Sequence, residues 1–186
     1  MTASGERLMR VVLTGPESTG KSILTGHLAR RFRVPFAMEY ARAYLEAHGS
    51  AYDYERVREM ARGHGLHQRA QVPDAAPLGV LDTDLINYKI WCEVVYGRCP
   101  EEIREGVERE TDHVYLLCAP DVPWAPDPLR ENPNDRPALF ERHRREIQRL
   151  NRPYVIIAGA DELRFRNAEA AFRQLTGRGD SSPSAW

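Results

Sequence analysis

The sequence predicts an α/β protein with five parallel strands in one sheet and helices on both faces. Three observations carry this prediction. Short apolar runs alternate with helical patterns five times along the 186 residues. The runs are almost continuously apolar, as strands covered on both faces must be. A glycine-rich turn follows the first run directly and opens a helix.

Taken in order, Met9 to Thr14 is compact, β-branched and ends at Gly15, which gives the first strand. Leu24, Leu28 and Phe32 fall at four-residue steps and mark a helix that begins near Gly20. Pro35 to Met38 gives a short second strand, and a helix from about Ala41 to Ala47 stops at Gly49. A longer helix covers Tyr54 to Ala70, with Gly63 and Gly65 opposing it. Leu78 to Asp82 is the third strand, followed by a helix with Ile86, Ile90 and Val94 on one face. His113 to Cys118 is the fourth strand, closed by Ala119-Pro120. The Pro-rich stretch from Asp121 to Pro137 is a loop, and a charged helix then runs to about Leu150. Tyr154 to Ile157 is the fifth strand, and Ala168, Phe172 and Leu175 lie on the last helix.

One domain is expected over residues 1–176, with 177–186 a small, polar, disordered tail. That tail contains Arg178-Gly179-Asp180, which in a chain without an export signal is coincidental. The apolar share of 42% and charged share of 28% are ordinary for a globular protein. A net charge of −1 gives no basic field for nucleic acid. No apolar run reaches membrane-spanning length, and the polar start is no signal peptide, so a cytoplasmic location is expected. Three cysteines without CxxC spacing argue against a disulfide framework. His64 and His67 stand three apart without a third ligand at suitable spacing, which argues against a metal site there. The oligomeric state is not legible.

The chemistry concentrates at strand ends, where ligands of parallel sheets bind. Gly15-Pro16-Glu17-Ser18-Thr19-Gly20-Lys21-Ser22 matches G-x-x-x-x-G-K-S in full. Such a loop turns its N–H groups inward around phosphate oxygens, and the following helix adds its positive end. Lys21 can reach the β- and γ-phosphates, and the Ser22 hydroxyl suits Mg²⁺. Asp82 closes the third strand, the place of a carboxylate that holds Mg²⁺; Asp84 is the alternative, and an Asp here can also cap the next helix. Glu39 ends the second strand, where a carboxylate can accept a proton from an acceptor hydroxyl. Arg130 and Arg136, in the stretch Leu129 to Arg136, are the candidate lid arginines that would neutralise a transferring phosphoryl group. Trp124 and, less favourably placed, Trp91 are candidates to stack on a planar acceptor ring. Together these residues point to Mg-ATP and a small-molecule acceptor, with no preference between ATP and GTP beyond the missing N-K-x-D motif. A nucleotide-dependent switch is the competing reading, and a nucleic-acid kinase would need a basic groove.

The same residues resemble the ribosylnicotinamide kinase domain of the NadR type. The resemblance rests on LTGPESTGKS (Leu13 to Ser22), EYAR (Glu39 to Arg42), ARG (Ala61 to Gly63), LDTDL (Leu81 to Leu85), YGR (Tyr96 to Arg98) and the lid stretch Trp124 to Arg136. It covers about Met9 to Leu175. It implies phosphorylation of the 5′-hydroxyl of nicotinamide riboside, with Glu39 as base or ribose contact and Tyr40, Arg42 and Asp84 near the acceptor. The adenylyltransferase and repressor domains of bifunctional relatives have no counterpart before Met9, so neither dinucleotide synthesis nor operator binding is expected. Some relatives carry Trp immediately before the strand-end Glu; this sequence has Met38 there, which leaves another nucleoside or a thiamine-like vitamin open as acceptor.

Overall fold

The computed structural model describes residues 8–130 and 134–178. Five strands, β1 (Met9–Thr14), β2 (Phe36–Ala37), β3 (Leu78–Asp82), β4 (His113–Cys118) and β5 (Tyr154–Ile157), form one sheet in the order β2-β3-β1-β4-β5. Every pairing is parallel; Leu13 stands beside Asp82 on one side and Leu116 on the other. The central strands are buried along nearly their whole length, which is why their sequences lack polar alternation.

Among the described residues seven helices accompany these strands: α1 (Lys21–Phe32), α2 (Tyr40–His48), α3 (Tyr54–Gln71), α4 (Leu85–Tyr96), α5 (Glu101–Arg109), α6 (Arg136–Arg149) and α7 (Asp161–Thr176). Helices α1 and α7 bury Leu24, Leu28 and Phe172 against Val11, Leu13, Val80 and Leu116. The opposite face carries α4, α5 and α6, whose Ile86, Ile90, Val107 and Ile147 pack on Val12, Leu81, Tyr115 and Leu117. A third cluster, with Tyr44, Val57, Met60, Tyr88 and Ile103, joins α2 and α3 to α4 and α5 beside the sheet.

Helix α3 forms as expected despite Gly63, where a Cβ would lie 2.4 Å from the Tyr40 ring. The glycine opens the space that lets α2 and α3 meet. Val94 leaves the buried face of α4 and is 42% exposed, whereas Ile86 and Ile90 are buried as expected. Helix α5 was not anticipated; Pro100 and the acids Glu101 and Glu102 start it, a short helix-opening signal. Of the lid stretch, Glu131, Asn132 and Pro133 lie outside the described residues, as does the tail from Gly179 onward. Among the described residues no helix is long and apolar enough to cross a membrane, and all three cysteines are free.

Candidate active site

The strand ends meet at a cavity of about 340 Å³ lined by the whole loop Gly15 to Ser22 together with Glu39, Arg42 and Arg130. Gly15 must be glycine: its φ is +126°, and a Cβ would stand 2.7 Å from the Cys118 carbonyl oxygen. Ser18 also has a positive φ, 56°, and Gly20 caps α1 at φ 79°. The Thr19 hydroxyl donates to the Pro16 carbonyl at 2.9 Å. The Lys21 ammonium donates to the Gly15 and Pro16 carbonyls at 3.0 and 2.8 Å, at the centre of the loop.

Glu39 opens α2 at the end of β2. Burial raises its pKa from 4.5 to about 7, and the Asp82 carboxylate adds to the rise against the pull of Lys21 and Arg42. Asp82, 1% exposed, is also raised by burial, with Lys21 and then the Ser22 hydroxyl opposing. Among the described residues no donor makes a well-formed hydrogen bond to either Asp82 oxygen. Two unsatisfied carboxylate oxygens beside the Ser22 hydroxyl form a hard-oxygen donor set, which suits Mg²⁺.

Asp84 stands apart from this cavity. It caps α4 by accepting from the Ile86 amide at 3.0 Å, and its other oxygen accepts from the Tyr115 hydroxyl at 2.7 Å and lies 3.1 Å from His113 Nδ1. Burial works against its charge, but the His113 and Tyr115 contacts hold its pKa below the usual value. Asp84, Glu110 and His113 bring their ligand atoms within 4.8 Å of one another, in a network that the amide and the phenol complete. The helix cap is therefore Asp84, not Asp82.

The segment after β4 lies over the phosphate loop. The Ala125 amide donates to the Ser18 hydroxyl at 2.8 Å, and Arg136 donates to the Ser18 and Val122 carbonyls at 3.3 and 2.9 Å. Arg136 is thus engaged with backbone and does not line the cavity, while Arg130 lines it and donates to the Ala125 carbonyl. Arg42 reaches from α2 to Asp127 at 3.1 Å and ties α2 to this segment.

The aromatic side chains are distributed differently from expectation. Trp124 lies under the Arg136 guanidinium, 5.7 Å from the ring centre, outside the cavity lining. Trp91 and Tyr52 line it instead, edge to face with centroids 4.8 Å apart. Tyr40 packs on α3 and does not line the cavity, and neither does Met38. His143 does line it; burial lowers its pKa to about 4, so it is neutral. Sequence reasoning also missed Arg164, a buried side chain bonded to the phosphate loop. Only the expectation that a buried arginine must find acceptors would have flagged it.

A family model described as AAA domain matches residues 10–164. The trifunctional NAD biosynthesis/regulator protein NadR of Salmonella typhimurium is 26% identical over 174 residues, which span 90% of this chain and 42% of that protein. The chain thus spans less than half the length of this relative. Two crystal structures are similar in fold. NadR protein in complex with NR has a TM-score of 0.75 at 24% identity, over 96% of this chain and 54% of the other. NadR protein in complex with NAD and AMP-PNP has 0.72 at 23%, over 94% and 51%.

Proposed function

The chain belongs to the AAA domain family, and from that premise we propose that it is a kinase that transfers the γ-phosphoryl group of Mg-ATP to the 5′-hydroxyl of nicotinamide riboside, giving the mononucleotide. The observation that carries the proposal is the sharing of one cavity by a complete phosphate loop and a carboxylate with a pKa of about 7. A carboxylate poised near working pH suits a general base.

In this reading the loop amides of Gly15 to Ser22 hold the β- and γ-phosphates, and Lys21 moves from the loop carbonyls onto phosphate oxygen. Asp82 and Ser22 would hold Mg²⁺, which would neutralise phosphate charge. Glu39 orients the acceptor hydroxyl and takes its proton as the new P–O bond forms and the bond to the ADP oxygen breaks. Arg130 faces the charge that develops on the transferring group, and the segment from Asp121 excludes water.

The aromatic wall of Trp91 and Tyr52 supports an acceptor that carries a planar ring. It offers a stacking surface in a chain whose Met38 lies outside the cavity lining. The sequence similarity to a NAD biosynthesis/regulator protein, NadR, and the likeness in fold to a NadR structure in complex with NR support nicotinamide riboside among such acceptors. The test is acceptor-stimulated ADP formation over nicotinamide riboside, common nucleosides, thiamine and no acceptor. Stimulation by nicotinamide riboside supports the reading; stimulation by another member moves the substrate; stimulation by none favours a nucleotide switch.

A further inference from the structure

One buried charge takes no part in this scheme. Arg164, in the first turn of α7, has a side chain only 6% exposed. Its Nη1 donates to Asp121 Oδ1 at 2.7 Å and to the Gly159 carbonyl at 2.8 Å. Its Nη2 donates to the Thr19 and Ala119 carbonyls, both at 2.9 Å. Asp121 uses its second oxygen to accept from the Gly159 amide at 2.6 Å. One planar guanidinium therefore joins the phosphate loop, the end of β4, the root of the segment over the cavity and the turn between β5 and α7.

We propose that Arg164 is a positioning residue that presets the phosphate loop for the nucleotide. The peptide between Thr19 and Gly20 shows how. In a trans peptide the C=O and N–H point to opposite sides. Arg164 does not line the cavity, whereas Thr19 and Gly20 do. Holding the Thr19 carbonyl toward Arg164 therefore turns the Gly20 N–H away from it, toward the phosphate side. The loop contains Ser18 at positive φ, a conformation that needs outside support in a residue with a side chain. Arg136 holds the preceding carbonyl, that of Ser18, at 3.3 Å. Two guanidinium groups thus fix two successive loop peptides. Only the Arg164 contact is buried, and only it also reaches Ala119 and Gly159. A lysine has no planar fork and cannot serve four acceptors spread around its head. Preorganisation of this kind is worth most where the amides must meet phosphate without rearranging.

The inference rests on the nucleotide-binding part of the proposed function and not on the acceptor. The experiment is titration of the full chain with fluorescent Mg-ATP analogue, with melting followed in parallel, for wild type, Arg164→Met, Arg164→Lys, Arg164→Ala and Asp121→Asn. Loss of a buried charge-assisted contact should weaken nucleotide binding at least about tenfold in Arg164→Met. Arg164→Lys should recover part of it. Millimolar guanidinium should restore binding to Arg164→Ala, which a general loss of stability would not allow. KM for the acceptor should stay within about twofold, while KM for ATP rises with the dissociation constant. Should Arg164→Met fail to fold, Arg164→Lys and Asp121→Asn carry the comparison. Folded variants that bind nucleotide as wild type does would overturn the inference. A wild type that binds nucleotide but phosphorylates no acceptor would remove the kinase reading and leave this one standing. A wild type that binds no nucleotide would remove both.

Discussion

Glu39 and Asp82 stand at the carboxyl ends of adjacent strands, Asp82 buried and Glu39 partly so, and the Asp82 carboxylate adds to the rise that desolvation gives the Glu39 pKa. As a base Glu39 must be ionised, so acceptor-dependent turnover should fall as pH drops through about 7. Glu39→Gln should lower kcat about 10²–10⁴-fold and abolish that limb. Stability runs the other way. The unfolded chain ionises Glu39 near 4.5 and the folded chain near 7, so stability is lost as pH rises across that window. Glu39→Gln should therefore melt a few degrees higher than wild type at pH 8 and at the same temperature near pH 4. Melting curves at both pH values check this, and equal melting at pH 8 would contradict it.

Asp82 gives a metal prediction. With both oxygens lacking a good donor and Ser22 adjacent, Asp82→Asn should raise the Mg²⁺ concentration for half-maximal rate at least about tenfold. The same variant should also lower the Glu39 acid limb, because Asp82 is one cause of the raised pKa. A Mg²⁺ dependence unchanged from wild type would remove Asp82 from the metal site.

Gly63 tests the packing of α2 on α3. Alanine is favoured over glycine in a helix by about 1 kcal/mol, but a Cβ here would lie 2.4 Å from the Tyr40 ring. Overpacking costs roughly 1–3 kcal/mol, so Gly63→Ala should be net destabilising, by up to about 2 kcal/mol in urea unfolding. A stabilised variant would mean that the Tyr40 ring moves aside freely.

How much of this was legible in the sequence follows from the range of the interactions. The five strands and the phosphate loop are local patterns, and Met9–Thr14, Leu78–Asp82, His113–Cys118 and Tyr154–Ile157 are readable from apolar continuity alone. The reason for Gly63, the Tyr40 ring, is 23 positions away in sequence. Asp82 and Asp84 look alike on paper; the αL residue Thr83 between them, with φ 66°, separates a carboxylate at the strand end from one that caps α4. Arg164 reaches Thr19 across 145 residues, and Trp91 rather than Trp124 lines the cavity, neither of which any local spacing encodes.

Trp91 carries the specificity prediction. Trp91→Ala should raise the acceptor KM about tenfold, in the range of a lost base–aromatic stack, while KM for ATP stays as in wild type. Trp124→Ala, outside the cavity lining, should leave the acceptor KM unchanged. Steady-state kinetics with each substrate varied in turn separate these outcomes, and the reverse pattern would return the ring to Trp124.

The central claim is that phosphate loop and strand-end carboxylate act together on one acceptor hydroxyl. The most direct measurement is single-turnover transfer from γ-labelled Mg-ATP with nicotinamide riboside, comparing wild type with Glu39→Gln. Label is expected in nicotinamide mononucleotide, at a rate that collapses in Glu39→Gln while nucleotide binding is retained. Label released only as inorganic phosphate, at a rate indifferent to nicotinamide riboside and to Glu39, would contradict it.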